Sequence, residues 1–258
     1  MLPAMRPEPL PAFTDNYIWT LPSDDGGLLV VDPGDATPVL AACAGGRRPS
    51  AILLTHHHAD HTGGVAALLE RWPGTPVFGP ADPRIPCVSH PVGDGDVVDV
   101  AGRRFEVLAV PGHTVSHVAF HGHGILFCGD TLFSLGCGRL FEGTPGELLG
   151  SLDRLAALPL GTLVCCGHEY TLANAAFARV VDPDNQALAR RQQEVIAMRG
   201  SGSPTLPSTL ADELACNPFL RVDAPAVREA VAARDPAAAG DRVATFAGLR
   251  RWKDDFRA

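Results

Sequence analysis

The sequence is poor in positive charge and contains no long apolar run. Of its 258 residues, 21 are Lys or Arg and 29 are Asp or Glu, so the formal net charge is −8. Such a surface disfavours a nucleic acid backbone or an anionic membrane as partner. No stretch of 18 apolar residues occurs, and residues 1–13 contain four prolines rather than the apolar centre of a secretory signal. We therefore expect a cytoplasmic protein.

Paired cysteines and the common serine hydrolase motif are also missing. The seven cysteines form an odd number and include no CxxC pair, so neither a disulfide framework nor a thiolate zinc site is predicted. We interpret them mainly as small buried residues. A GxSxG motif does not occur either, which argues against a Ser-His-Asp mechanism.

The composition and the order of the apolar segments predict an α/β protein. Hydrophobic residues make up 46% of the chain, enough for a sizeable core. Before Tyr170, apolar runs alternate with turn signals, and helices are predicted at about 36–44, 63–71 and 146–157. After Tyr170 the spacing is mostly helical. The predicted strands are YIWTL, LLVVD, AILLT, RFEVLAV, HVAFH, ILFCG and TLVCCG.

The clearest chemical signal is the segment THHHADHTGG, which directly follows the predicted strand AILLT. Its His56, His58, Asp60 and His61 offer imidazole nitrogens and carboxylate oxygens, which are ligands for zinc, iron or manganese. Alternate residues of an extended turn would project His56 and His58 to one side. Asp60 and His61 would then turn toward a second position.

Three more candidate ligands follow predicted strands: His113 in VPGHTVSH, Asp130 in FCGDTLF and His168 in CCGHEYT. Each comes after a glycine that lets the backbone turn sharply. Loops at strand ends are where ligands collect in layered α/β proteins. Five His and two Asp exceed the four ligands of one tetrahedral ion but suffice for two ions if one carboxylate bridges them. We expect two divalent ions, zinc in the first place, with iron and manganese as alternatives.

Other polar residues near the motif are expected to support the ligands. His57 should point away from them, and His117 should orient a neighbouring group. Asp32 in VVDPG is typical of a turn former. The remaining histidines are expected to be solvated, with His121 and His123 in a hairpin turn and His90 in a loop.

The HxHxDH segment, followed by a His, an Asp and a His at strand ends, resembles the metallo-β-lactamase superfamily of metallohydrolases. The wider sequence, from about residue 10 to 256, resembles glyoxalase II, the hydroxyacylglutathione hydrolases. This resemblance implies an αββα four-layer sandwich over residues 1–170 as catalytic domain and a smaller helical, substrate-binding domain over 171–258. It rests on PAFTDNYIW, VVDPGD, THHHADHTGG, VPGHTVSHV, FCGDTLFSLGCGRLFEG, CCGHEYT and LRRWKDDF.

The resemblance also implies a ligand set and a reaction. One metal would be held by His56, His58 and His113, and a second by Asp60, His61 and His168, with Asp130 as bridge. A hydroxide shared by the two ions would attack the thioester carbonyl of S-D-lactoylglutathione, which would be split into D-lactate and glutathione. Asp60 and Asp130 would be the catalytic carboxylates, and Asp32 would have a buried supporting role as the alternative to that of a turn former.

Substrate binding is expected to depend on a short basic cluster. Lys253 is the single lysine of the chain and lies beside Arg250 in LRRWKDDF. Glutathione carries two carboxylates, so cationic donors are required to bind it. The resemblance places Arg250 and Lys253 at its glycine end, with Arg139 and Tyr170 helping to position it. Phe141 departs from the family, because some members have a tyrosine there.

Several alternatives share this superfamily. A persulfide dioxygenase with a single iron has the same motif start, but the helical C-terminal segment with its basic cluster favours the hydrolase. A β-lactamase would normally be exported, and a nuclease is disfavoured by the acidic charge. A non-catalytic binding module is least favoured because the ligand set is complete. We expect a monomeric enzyme acting on a small molecule.

Overall fold

The computed structural model describes residues 6–100 and 102–257. The chain divides into two compact units. Of the described residues, the first unit comprises 6–100, 102–109, 116–129 and 165–168, and the second comprises 110–115, 130–164 and 169–257. Among the described residues, no helix is long and apolar enough to span a membrane.

A six-stranded sheet of the first unit positions the ends of two parallel strands. The sheet order follows the chain order, with the first three strands antiparallel and the later ones parallel. Its strands are β1 Glu8–Ala12, β2 Asn16–Pro22, β3 Leu28–Val31, β4 Pro49–Leu53, β5 Val77–Pro80 and β6 His90–Val92. Because β3 and β4 run parallel with Val31 opposite Leu53, the loops that follow them begin side by side.

Three short helices accompany this sheet: α1 Ala36–Ala42, α2 Ala59–Thr62 and α3 Val65–Arg71. Apolar residues of α1 and α3 pack on those of β3 and β4 in one core cluster, which includes Val30, Val39, Ile52, Val65 and Leu68. Asp35 caps α1 by accepting a hydrogen bond from the backbone N–H of Thr37 at 2.8 Å.

The other sheet of the first unit contains β7 Val97–Val100, β8 Arg103–Ala109, β9 Val118–Gly122, β10 Ile125–Gly129 and the end of β13 Leu163–Cys166. His123 lies in the β9–β10 turn with a φ of 53°, as predicted. His121, in contrast, lies in β9, and His90 lies in β6 rather than in a loop. Both expectations were wrong because a strand end and a turn have similar local sequences.

The second unit is mainly helical. Its small hairpin consists of β11 Leu132–Phe133 and β12 Gly136–Cys137, and β14 Ser208–Thr209 pairs with Leu163 and Val164. A capping box of Thr144 and Glu147 begins α4. The helices are α4 Pro145–Ala156, α5 Thr171–Val181, α6 Gln186–Gly200, α7 Leu210–Cys216, α8 Pro225–Arg234 and α9 Arg242–Asp255.

The predicted secondary structure is largely confirmed. Each of the seven predicted strands is present, and the helical spacing after residue 170 corresponds to α5 through α9. The cysteines are buried as expected, apart from the half-buried Cys87. The domain boundary between residues 170 and 171 stays a prediction.

Candidate metal centre and substrate cavity

Two histidines of the loop after β4 present ring nitrogens to one another. His56 Nε2 and His58 Nδ1 lie 3.1 Å apart. His56 is fully buried; its Nδ1 contacts the Thr55 hydroxyl at 3.0 Å and its ring stacks on His117 at 4.6 Å. Two imidazoles on one tetrahedral zinc ion place their nitrogens about 3.4 Å apart. The observed spacing therefore suits a shared metal ion.

A second group of ligand atoms lies at α2. The ligand atoms of Asp60, His61 and His168 all lie within 4.8 Å of one another. Asp60 Oδ2 is 3.4 Å from His168 Nε2 and 3.7 Å from His61 Nε2. Asp60 and His61 are adjacent residues of α2, a short helix that the sequence did not predict. Two imidazoles and a carboxylate at these distances fit one divalent ion.

Carboxylates fix the rings of His61 and His168 from behind. His61 Nδ1 lies 3.0 Å from Asp32 Oδ2, and His168 Nδ1 lies 2.8 Å from Asp15 Oδ1. Carboxylate partners of this kind set the tautomer of a metal-binding histidine and make it a stronger ligand. Asn16 donates from Nδ2 to Asp60 Oδ2 at 3.0 Å. The donor set therefore suits a divalent ion.

Asp32 fills both of its possible roles: its carbonyl oxygen accepts from the Gly34 N–H at 2.9 Å in a turn, and its side chain is a buried support. Asp32 is 4% exposed and adopts a left-handed φ of 52°. Its carboxylate accepts hydrogen bonds from the Thr55 N–H at 2.8 Å and from the Thr55 hydroxyl at 2.7 Å. Asp32 also lies within 4.8 Å of ligand atoms of His56 and His61. Because its oxygens already serve Thr55 and His61, we regard it as a support rather than a ligand.

The expectations for the neighbouring histidines agree with their contacts. His57 Nδ1 is directed toward Asp82, 3.9 Å from its Oδ2, and His117 orients the His56 ring by stacking.

Gly129 ends β10 with a φ of 47°, and a Cβ there would lie 2.3 Å from the Thr55 hydroxyl oxygen. The glycine therefore permits both a left-handed turn and a close approach.

His113 and Asp130 lie together in the second unit. His113 Nδ1 is 2.9 Å from the carbonyl oxygen of Arg139, and its Nε2 is 3.5 Å from Asp130 Oδ2. Because the Arg139 carbonyl oxygen can only accept a hydrogen bond, His113 Nδ1 carries the proton and Nε2 is the acceptor nitrogen. Gly138 packs against this pair, since a Cβ there would lie 1.9 Å from the Asp130 carbonyl oxygen.

A cavity of about 450 Å³ in the second unit is lined by all four predicted substrate-binding residues, Arg139, Tyr170, Arg250 and Lys253. His113 and Asp130 line the same cavity. Its other lining residues are Phe133, Cys137, Phe141, Ala173, Asn174 and Phe256. The volume is that of a small-molecule site.

Positive charge is concentrated at this cavity. Arg250 is 4% exposed and donates to the Cys137 carbonyl oxygen at 2.8 Å and to Asp254 Oδ1 at 2.9 Å. Arg139 lies 3.5 Å from the same oxygen of Asp254. Burial, followed by the charges of Arg250 and Arg139, lowers the pKa of Lys253 to about 8. Three cations around one carboxylate favour an anionic ligand.

The aromatic and thiol groups of the cavity have distinct environments. Lys253 Nζ lies 5.5 Å from the ring centroid of Phe177. Phe141 is 62% exposed and meets the His113 ring edge-on at 5.2 Å. Burial raises the pKa of the Cys137 thiol to about 11, so this thiol stays neutral and is a poor nucleophile.

Some supporting residues were not predicted from the sequence. Asp15 and Asn16 hold His168 and Asp60, although both lie in the segment PAFTDNYIW that carries part of the resemblance. Thr55 precedes His56 and supports both His56 and Asp32. A polar residue directly beside a ligand motif is the signal that points to such supports.

Known proteins resemble this chain over nearly its whole length. Residues 16–168 match the family model "Metallo-beta-lactamase superfamily", and residues 169–256 match "Hydroxyacylglutathione hydrolase C-terminus". A curated hydroxyacylglutathione hydrolase of Xanthomonas axonopodis pv. citri is 61% identical over 98% of this chain and 100% of its own length. One from Xylella fastidiosa strain M23 is 58% identical over 98% of both chains.

Solved structures agree on the fold. The B3 metallo-β-lactamase BLEG-1 has a TM-score of 0.60 at 24% identity, covering 84% of this chain and 99% of its own. ETHE1 from Myxococcus xanthus has a TM-score of 0.58 at 27% identity, and the match covers 82% of this chain and 98% of ETHE1. TTHA1623 in a di-iron-bound form has a TM-score of 0.52 at 34% identity, and the match covers 63% of this chain and 91% of TTHA1623.

These comparisons confirm the predicted α/β class with the metallo-β-lactamase fold and a helical C-terminal segment. They also agree with the histidine and aspartate groups, which are suited to divalent metal binding. Since the family models together cover residues 16–256 and the relatives match nearly end to end, the chain belongs to the hydroxyacylglutathione hydrolases of the metallo-β-lactamase superfamily.

Proposed function

We propose that this protein hydrolyses the thioester of S-D-lactoylglutathione to D-lactate and glutathione with the help of two divalent metal ions. One observation carries the proposal. The basic residues suited to a glutathione carboxylate, Arg139, Arg250 and Lys253, line the same cavity as the candidate metal ligands His113 and Asp130. The relatives at 58–61% identity bear the name hydroxyacylglutathione hydrolase, which supports this substrate class.

The proposed ligand set follows the family pattern. His56, His58 and His113 would hold one ion, Asp60, His61 and His168 would hold another, and Asp130 would bridge them. The solved structure of TTHA1623, at 34% identity, is of a di-iron-bound form, which supports two ions. We propose zinc, with iron or manganese as alternatives, because imidazole and carboxylate accept all three. When bound, such ions lower the pKa of a water molecule and polarise a carbonyl oxygen.

The residues of the chain position the reactants. Asp60, held by the Asn16 amide at 3.0 Å, would orient the attacking water on the thioester carbonyl. Lys253 and Arg250 would bind the glycine carboxylate of glutathione, with Arg139 and Tyr170 beside it. Arg250 is already anchored by Asp254 and the Cys137 carbonyl oxygen, so its guanidinium loses little freedom when a carboxylate binds.

The leaving group explains why the reaction needs no general acid in the cavity. A thiol has a pKa near 8.5, far below that of an alcohol or amine. Glutathione therefore departs as a thiolate without a proton donor. Cys137, whose thiol is kept neutral by burial, does not compete as a nucleophile.

A persulfide dioxygenase is the alternative to be tested. The experiment measures metal content per chain, free thiol released from S-D-lactoylglutathione, and oxygen uptake on glutathione persulfide, for the parent and Asp130→Ala. We expect two ions, thiol release and no oxygen uptake in the parent, and loss of both metal and activity in Asp130→Ala. A single iron with oxygen uptake would establish the alternative.

We also propose that the protein acts as a monomer in the cytoplasm, where glutathione is concentrated.

A further inference from the structure

One buried carboxylate of the second unit takes no part in the chemistry proposed above. Glu213 lies on α7 with none of its surface exposed, and burial raises the pKa of its carboxyl group. Burying an acidic side chain costs free energy unless specific partners offset the loss of water. The partners of Glu213 therefore indicate what the residue is for.

One of those partners is the turn of the β11–β12 hairpin; the others include Ser208 of β14 and Asn217. Glu213 Oε2 accepts a hydrogen bond from the Leu135 N–H at 2.7 Å. Asn217 Nδ2 donates to the carbonyl oxygens of Phe133 and Gly136 at 3.1 and 2.9 Å, and Asn174 Nδ2 donates to that of Ser134 at 3.0 Å. We refer to the side chains of Asn174, Glu213 and Asn217 as the hairpin clamp.

The hairpin turn requires such external partners. Leu135 is fully buried and has a left-handed φ of 58°, a conformation that costs a residue other than glycine free energy. Buried peptide groups also need hydrogen-bond partners. The clamp supplies a partner to each residue from 133 to 136. Asn217 additionally donates to Glu213 Oε2 at 3.2 Å, which joins two of its members.

The base of the hairpin holds the residues that matter for function. Leu132 pairs with Cys137, and the Gly138 N–H donates to the Thr131 carbonyl oxygen at 3.2 Å. Gly138 is packed so tightly that a Cβ there would lie 1.9 Å from the Asp130 carbonyl oxygen. A shift of the turn would therefore be passed to the base, since tightly packed groups transmit strain.

We propose that the hairpin clamp positions Asp130 for metal binding and Arg139 for substrate binding. This inference rests on the proposed function, and it adds a group of positioning residues from α5, α7 and the residue after α7. Asn174 also lines the substrate cavity, whereas Glu213 and Asn217 are not among its lining residues. The three clamp side chains fix the short segment that begins after Asp130 and ends before Arg139.

The test compares an isosteric variant with a variant of the same helix that leaves the hairpin alone. Glu213→Gln keeps the side-chain volume but replaces one of the two acceptor oxygens with an NH₂ donor, which cannot accept from the Leu135 N–H or Asn217 Nδ2. Thr209→Ala removes the side chain that caps α7 by accepting from the Asp212 N–H at 3.2 Å. Zinc affinity is measured by chelator competition, geometry by the visible spectrum of the cobalt-loaded protein, and kcat and KM by thiol release.

We expect Glu213→Gln to weaken zinc binding, change the cobalt spectrum and lower kcat by about 10- to 100-fold, as is usual for groups that orient metal ligands. Thr209→Ala should lower the melting temperature while keeping the parent's spectrum, zinc affinity and kcat. Asn217→Ala is the second clamp variant and decides the question if Glu213→Gln does not fold.

A clamp variant with a lowered melting temperature but the parent's spectrum, zinc affinity and kcat would overturn the inference, because the residue would then serve stability alone. Failure of the proposed function is seen separately. If the parent releases no thiol from S-D-lactoylglutathione, the substrate assignment is wrong, and the zinc affinities and cobalt spectra still decide whether the clamp positions Asp130.

Discussion

The Nδ1 atom of His61 lies 3.0 Å from the Oδ2 atom of Asp32, and this contact determines which ring nitrogen of His61 is directed toward Asp60. With Nδ1 carrying the proton, Nε2 is the acceptor nitrogen, 3.7 Å from Asp60 Oδ2. Asp32 also accepts two hydrogen bonds from Thr55. The carboxylate is therefore fixed by the ends of two adjacent parallel strands.

Asp32→Asn should weaken metal binding about 10- to 100-fold. An amide can direct its NH₂ group at His61 Nδ1, which favours the tautomer whose Nε2 carries the proton and cannot bind a metal. Asparagine tolerates the left-handed backbone of this position, so the fold should persist. Metal affinity is measured by competition with a chelator. Asp35→Asn, at the cap of α1, is the matched control and should bind metal as the parent does.

Gly138→Ala should abolish most of the activity. Its Cβ would lie 1.9 Å from the Asp130 carbonyl oxygen and 3.1 Å from His113 Nδ1, so the backbone on either side of two candidate ligands must move. A displacement of about 1 Å costs on the order of 100-fold in rate. Thiol release and bound metal are measured together.

The control for that change is Gly150→Ala, in the middle of α4. No atom lies within 4 Å of the added Cβ there, and alanine favours the helix by roughly 0.5–1 kcal/mol. We expect a more stable protein with unchanged turnover. Equal activity of both alanine variants would show that the close approach of Gly138 to Asp130 has no role in catalysis.

Glutathione binding should weaken as the pH rises through 8. Lys253 has a pKa of about 8, lowered by burial and then by Arg250 and Arg139, and only its protonated form attracts a carboxylate. Between pH 7 and pH 9 the dissociation constant should rise roughly tenfold. Calorimetric titration at several pH values measures it.

Lys253→Arg is the control for this titration, because arginine stays charged over the same range. Its glutathione affinity should lack the fall above pH 8, while ionisations of glutathione itself affect both proteins equally.

The free energy of unfolding should change with pH in the opposite direction from the glutathione affinity. The unfolded lysine has the ordinary pKa of 10.5, so the parent should gain stability relative to Lys253→Arg as the pH rises from 8 toward that value. Identical pH profiles would rule out Lys253 as the titrating group.

Phe141→Tyr should lower KM by about two- to fivefold and leave kcat unchanged, since one hydrogen bond at an exposed position contributes about 0.5–1 kcal/mol. Phe141 lines the substrate cavity and is 62% exposed. Phe13, at 61% exposed, offers a control of equal exposure, and Phe13→Tyr should leave KM alone. A lower kcat in Phe141→Tyr would contradict a role limited to binding.

The sequence predicted the strands with continuous apolar runs but missed several others, two of which have proline in their interior. β1 holds Pro9 and Pro11, and β6 holds Pro91. Both strands lie at the edges of their sheet, where a proline without an N–H leaves no ladder bond broken. A proline inside a strand is therefore compatible with an edge position, which depends on tertiary pairing and not on local sequence.

The candidate metal ligands stood out because histidines and aspartates clustered after strands, whereas their supports gave weaker signals. Asp15 reaches His168 across 153 residues of chain, a relationship that no local spacing reveals. Glu213 lies in a helix with an ordinary amphipathic sequence, and its contact with Leu135 spans 78 residues. The sequence thus predicted the groups suited to the chemistry, and the structure identified the groups that hold them.

The most direct test of the account is the rate of thiol release from S-D-lactoylglutathione as zinc is added back to metal-free protein. If two ions act together, release should be negligible without metal and should reach its maximum at two equivalents per chain. A maximum reached at one equivalent, or full release by the metal-free protein, would contradict the binuclear centre.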